Sequence, residues 1–158
     1  MAEPGLIEAD IKAGDWRIAI VASRYNRQVV ERLIAGCLRT LVGRGIRADR
    51  VTVVRVPGAF EIPLAARALA DGRSADAVVT LGAIVRGETP HFDFIAAECV
   101  RGISSIAIDT GVPVSFGVLT VDTMDQAMDR SGDDESNKGS EAAAAALEMI
   151  SILRKLAP

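Results

Sequence analysis

Apolar residues follow two alternating rhythms along this chain. Short, β-branched, nearly continuous runs at 17–22 (Arg-Ile-Ala-Ile-Val-Ala), 51–56 (Val-Thr-Val-Val-Arg-Val) and 77–81 (Ala-Val-Val-Thr-Leu) have the pattern of strands buried on both faces of a parallel sheet. Between the first two the period lengthens. Val29, Val30, Leu33, Ile34, Cys37, Leu38, Leu41 and Val42 recur at three- and four-residue spacing, and Gly43-Arg-Gly45 stops the helix they predict. A second helix follows Pro57-Gly-Ala-Phe-Glu-Ile-Pro63 and runs to about Ala70, with Asp71-Gly72 as punctuation. Residues 82–94 pass through a polar turn into a third helix, with Thr89 read as its N-cap and Pro90 as its first helical residue. Further on, 105–109 and 114–119 read as the fourth strand and a neighbouring extended segment, and 124–130 as a short helix. The charged run 131–139 reads as a solvated, mobile break, and 140–156 as a terminal helix, alanine-rich at 142–146. Residues 1–16 show no period and read as an arm that is ordered only if something covers it; 17–158 read as a single domain. Strands alternating with helices predict a right-handed, doubly wound α/β/α sandwich of three layers around a four-stranded parallel sheet.

Composition narrows the setting. With 158 residues and 49% apolar content the chain can build a core without disulfides, and its few aromatics leave aliphatic side chains to fill it. A net charge of −3 argues against a general affinity for nucleic acid or an anionic membrane, so any anionic ligand must be held locally. No apolar run approaches the ~18 residues of a membrane span, and residues 1–5 lack the basic and apolar regions of a signal peptide, which points to the cytoplasm. Cys37 and Cys99 fall on predicted helices without metal-ligand spacing, and are expected as two buried thiols rather than a disulfide or a zinc site.

Candidate chemistry gathers at the ends of the predicted strands. His91, the only histidine, lies in the first turn of the third helix, where a neutral imidazole can accept a proton. Arg86, Gly87 and Thr89 beside it supply the parts of an anion site at a helix start. Tyr25 follows the first strand, at the sheet edge expected to hold His91, as a platform for a planar ligand. Gly58 and Glu61 follow the second strand, the glycine allowing close backbone approach and the carboxylate sitting in a first helical turn. The first strand is not followed by G-x-G-x-x-G, and no Walker phosphate loop is present, so dinucleotide and P-loop chemistry are disfavoured.

Ser23-Arg-Tyr-Asn26, Val56-Pro-Gly-Ala-Phe-Glu-Ile-Pro63, Leu81-Gly-Ala-Ile-Val-Arg-Gly-Glu-Thr-Pro-His-Phe-Asp93, Phe116-Gly-Val-Leu-Thr120, Gln126-Ala and Asn137-Lys-Gly139 together resemble the 6,7-dimethyl-8-ribityllumazine synthase family in order and spacing. The resemblance implies a flavodoxin-like sheet and condensation of 5-amino-6-ribitylaminouracil with 3,4-dihydroxy-2-butanone 4-phosphate, releasing phosphate and water, with no metal or organic cofactor. It also implies that His91 shuttles protons, and that Tyr25, Asn26, Ala59, Phe60, Glu61, Ala83, Ile84, Val85, Phe116 and Lys138 hold the pyrimidine and ribityl chain. Gly87, Glu88, Thr89 and Arg130 would hold phosphate. Phe116, Arg130 and Lys138 would come from a neighbouring subunit of a homopentamer, the unit from which sixty-subunit capsids of the family assemble and with which riboflavin synthase can associate.

One stretch departs from the family pattern. Asp133-Asp-Glu135 stands where a glycine- and lysine-containing turn is commoner, and three acids there would weaken phosphate binding or disfavour packing of pentamers into a shell. Two rival readings share the fold: a container that holds a lumazine or flavin without turnover, and an FMN protein of flavodoxin type. Retention of His91, Arg130 and Lys138 argues against the container, which has less need of a proton shuttle and a phosphate clamp.

Overall fold

The computed structural model describes residues 1–10 and 12–158; Ile11, inside the expected arm, lies outside the described residues. Four strands, β1 (Ile18–Ser23), β2 (Val51–Val56), β3 (Ala77–Val85) and β4 (Val114–Val121), form one all-parallel sheet in the order β2-β1-β3-β4. Five α-helices connect or follow them: α1 (Arg27–Gly43), α2 (Ile62–Asp71), α3 (His91–Thr110), α4 (Met124–Asp129) and α5 (Lys138–Leu156). The three-layer, flavodoxin-like sandwich is the expected fold.

Its cause is visible in the inner strands. Every residue of β1 and all but the last of β3 are buried, because successive side chains enter opposite layers. Ile18, Ile20 and Ala22 pack with Leu33 and Cys37 of α1 and with Ala146 and Leu147 of α5. Ala19 and Val21 join the other layer with Ala66 of α2 and Ile103 and Ile106 of α3. Neither layer could be apolar alone without leaving one face of the sheet wet.

Three expectations need correction. Residues 105–109 are not a strand but the end of α3, which runs on to Thr110 and stops at Gly111, whose φ of 70° suits a residue without a side chain. The buried spacing of Cys99, Ile103 and Ile106 is helical, and the Ser105 and Thr110 hydroxyls donate back to the carbonyls of Arg101 and Ile106 at 2.9 and 2.6 Å. Thr89 does not cap α3: the N-cap is Pro90, without a side-chain cap, and His91 is the first helical residue. The segment 131–139 is not simply a solvated break. Ser131 and Asn137 are fully buried, pinning the loop against α1 at both ends, and α5 begins at Lys138.

The amino-terminal segment is tied to this chain's own last helix at Glu8 and Asp10, while residues 1–8 remain exposed. Asp10 donates its N–H to Ser151 Oγ at 2.9 Å, Lys155 Nζ donates to the Glu8 carbonyl at 2.7 Å and to the Asp10 carboxylate at 2.8 Å, and Trp16 is buried in the core. No helix among the described residues is long and apolar enough to cross a membrane.

Candidate functional site

At the carboxyl ends of β1, β2 and β3 the chain opens into a half-enclosed cleft of about 670 Å3. In a sheet of this order the connections from β1 and β3 leave toward opposite faces, and the crevice between their ends is where such folds take small molecules. Each wall comes from a different turn. Tyr25 and Asn26 follow β1; Pro57 to Glu61 follow β2; Ala83, Ile84 and Val85 end β3, and Gly87, Thr89 and His91 lead from it to the start of α3.

Asn26 ties the first wall to the third. It sits in left-handed backbone, φ 57°, which asparagine tolerates better than most residues, and its Nδ2 donates to the Ala83 carbonyl at 2.8 Å. Its amide is thus spent across the cleft floor, and it makes no side-chain cap on α1. Tyr25, beside it, is 73% exposed and presents its ring to the opening. In the second wall Glu61 Oε2 accepts the Gly58 N–H at 2.9 Å, closing a short 3-10 turn over residues 59–61. That closure sets Phe60 outward while Ala59 turns into the core.

The third wall leaves β3 in extended form to Val85 and then turns sharply, leaving Gly87, Glu88 and Thr89 exposed before α3 begins. Arg86 holds the base of this turn. Its Nε donates to Asp122, just beyond β4, at 2.9 Å, its Nη1 donates to Asp93 in the first turn of α3 at 3.2 Å, and its guanidinium lies 4.3 Å from the centre of the Phe92 ring. His91 is exposed at the mouth, on the positive end of the helix dipole.

Most residues expected from the sequence therefore meet in this cleft, but five do not line it. Arg86, expected as part of an anion site, is instead held by Asp122 and Asp93. Glu88 is exposed in the turn and does not line the cleft. Phe116, on β4, lines a separate groove of about 410 Å3 with Ile108 of α3 and Met149 and Leu153 of α5. Arg130 ends α4, and Lys138 begins α5 with its Nζ 2.8 Å from the Glu141 carboxylate. Three lining residues the sequence did not single out are Pro57, Phe92 and Ile95. For Ile95, the spacing of four from His91 and three from Phe92 on one helix was the available signal.

A parallel sheet sheathed by helices on both faces, with a ligand-sized cleft at its topological switch point, defines a doubly wound α/β protein of flavodoxin-like type built around a small-molecule site. Residues 15–154 match the profile of the 6,7-dimethyl-8-ribityllumazine synthase family, and the chain belongs to that family. Membership makes it an enzyme of the lumazine-forming step of riboflavin biosynthesis.

Proposed function

We propose that this chain condenses 5-amino-6-ribitylaminouracil with 3,4-dihydroxy-2-butanone 4-phosphate to 6,7-dimethyl-8-ribityllumazine, releasing phosphate and water. The observation that carries this reading is the meeting of Tyr25, Glu61, the Gly87–Thr89 turn and His91 in one cleft from three separate turns of the chain. Tyr25 stacks on the pyrimidine, the 59–61 turn and Asn26 line the ribityl chain, and Ala83, Ile84 and Val85 form the floor under the heterocycle. Gly87, Glu88 and Thr89 bind the phosphate through backbone N–H groups and a hydroxyl at the start of α3. His91 moves protons during imine formation, phosphate loss and ring closure.

The amine is a competent nucleophile and phosphate a competent leaving group, so the larger share of the acceleration comes from holding the two substrates side by side. Proton transfer by His91 adds a factor of roughly 10²–10⁴. No metal or organic cofactor is needed for these steps.

Phe116, Arg130 and Lys138 lie outside their own chain's cleft, which supports a site completed by a neighbouring subunit. In a homopentamer, working in the cytoplasm, Arg130 neutralises the leaving phosphate and Lys138 contacts a pyrimidine carbonyl. Asp133 faces Arg39 at 3.6 Å and Asp134 accepts the Ser136 N–H at 2.9 Å, so two of the three acids of the loop are engaged locally.

The test is to mix purified protein with both substrates and follow lumazine fluorescence, correcting for the spontaneous condensation. Product formation well above background is expected. A rate equal to background, with tight binding of a lumazine or flavin retained, would replace the enzyme with a binder.

A further inference from the structure

Asn137 makes more hydrogen bonds than a helix start requires. Its side chain is wholly buried. Nδ2 donates to the Arg32 carbonyl at 3.2 Å and to the Gly132 carbonyl at 2.8 Å, while Oδ1 accepts the Ser140 N–H at 3.1 Å as the N-cap of α5. Arg32 completes the connection from α1 by donating Nε to the carbonyl of Ser131, itself buried, at 3.0 Å. Two glycines make room: a methyl group at Gly36 would strike the Asn137 amide, and one at Gly139 would strike the Leu33 carbonyl.

A buried amide is costly unless its bonds are made, and here both donors and the acceptor are engaged. Capping alone would account for the bond to Ser140 and would be served by a serine or aspartate at the surface. The bonds to Arg32 and Gly132 do something else. They clamp a seven-residue loop, 131–137, whose flanking residues are Arg130 and Lys138. Across its neck the Lys138 N–H donates to the Arg130 carbonyl at 2.9 Å, so the two cations are held at adjacent backbone positions.

We infer that Asn137 is a positioning residue that anchors this loop on α1 and so presents Arg130 and Lys138 as a fixed cationic pair to the neighbouring subunit's active site. The inference rests on the shared-site reading proposed above. It makes the buried connection between α1 and α5 a determinant of phosphate affinity at a cleft in another chain, with no contact between Asn137 and substrate.

Mixed oligomers separate this role from a merely structural one. Asn137→Asp keeps the shape and the cap acceptor but sets an anion against the Arg32 and Gly132 carbonyls. Alone it is expected to raise KM for the phosphate substrate roughly ten- to hundredfold, as a displaced pair of cations would. Co-expressed in equal amounts with His91→Ala subunits, it should regain activity, because about a quarter of the sites then join a native His91 to a native neighbour. A variant that damaged its own subunit throughout would lose its own His91 site as well and would not be rescued.

Arg130→Ala co-expressed with His91→Ala is the control. Recovery in both mixtures supports the inference. Recovery with Arg130→Ala but not with Asn137→Asp overturns it while the shared site stands, and recovery in neither overturns both. Should Asn137→Asp fail to assemble, Arg32→Met, which removes the side-chain bonds to the Ser131 carbonyl and the Met128 sulfur and leaves the Arg32 carbonyl to Asn137, is put through the same mixture. A smaller rise in KM that the partner rescues supports the inference, and wild-type constants overturn it.

Discussion

His91 stands at the first residue of α3, open to both solvent and the cleft, so protons can reach it without a relay. His91→Ala is expected to lower kcat roughly 10²-fold or more, with KM and oligomer size unchanged; steady-state lumazine fluorescence and sedimentation check both halves. Arg130→Ala should chiefly raise KM for the phosphate substrate and leave KM for the pyrimidine alone. Unchanged constants would remove Arg130 from the site. The two cysteines carry a different prediction. Burial pushes the Cys37 thiol up to about 12 and that of Cys99 up to about 11, and only thiolate reacts readily with a disulfide reagent. Both should be silent in native protein at pH 8 and titrate after denaturation. At this scale the sequence was most informative where local turn chemistry suggested a residue's place, as for Gly58, Glu61 and His91, all of which line the cleft. It was silent where a side chain's partner lies far along the chain, as for Asn26 with the Ala83 carbonyl and Arg86 with Asp122.

Helices α1 and α5 touch backbone to side chain, and this contact decides what their glycines must be. Gly139→Ala is expected to destabilise the protein by about 1–3 kcal/mol or more, read as a lower denaturation midpoint, because the Leu33 carbonyl cannot retreat without moving α1. A neutral result would mean that α5 can slide along α1, and the alanines at 142, 143 and 146, buried on the same face, would then no longer mark a close-packed seam. The inner strands were legible because their short apolar runs are β-branched and nearly unbroken, and α1 because its three- and four-residue spacing is sustained over some fourteen residues, 29–42. Residues 105–109 misread because the five-residue stretch Ser-Ile-Ala-Ile-Asp fits either period, and the helix reading depends on burial of Cys99 and Ile103 before it. The loop 131–139 misread for the opposite reason: its charges are exposed as expected, while the two residues that anchor it, Ser131 and Asn137, look no different in sequence from their neighbours.

The single chain leaves large apolar side chains in water at Leu64, Phe94 and Ile108, each more than two-thirds exposed, and Ile108 shares its groove with Phe116. Scattered exposed aliphatics need no explanation, but a groove lined almost wholly by them does. Ile108→Glu is expected to shift the protein to smaller species in sedimentation and to lower activity in parallel, since a site shared between subunits cannot survive their separation. Full activity in a monomer would sink the shared-site proposal and the role given to Asn137 with it.

By itself the sequence determined the parallel α/β/α architecture, most element positions and the turns that line the cleft, because hydrophobic period and turn preference act between residues a few positions apart. Only the tertiary structure decided that the turns after β1, β2 and β3 close on one cleft, that Phe116, Arg130 and Lys138 stand outside it, and that Asn137 is buried against α1. These depend on which distant segments pack together, and burial and long-range hydrogen bonds come into being only when they do.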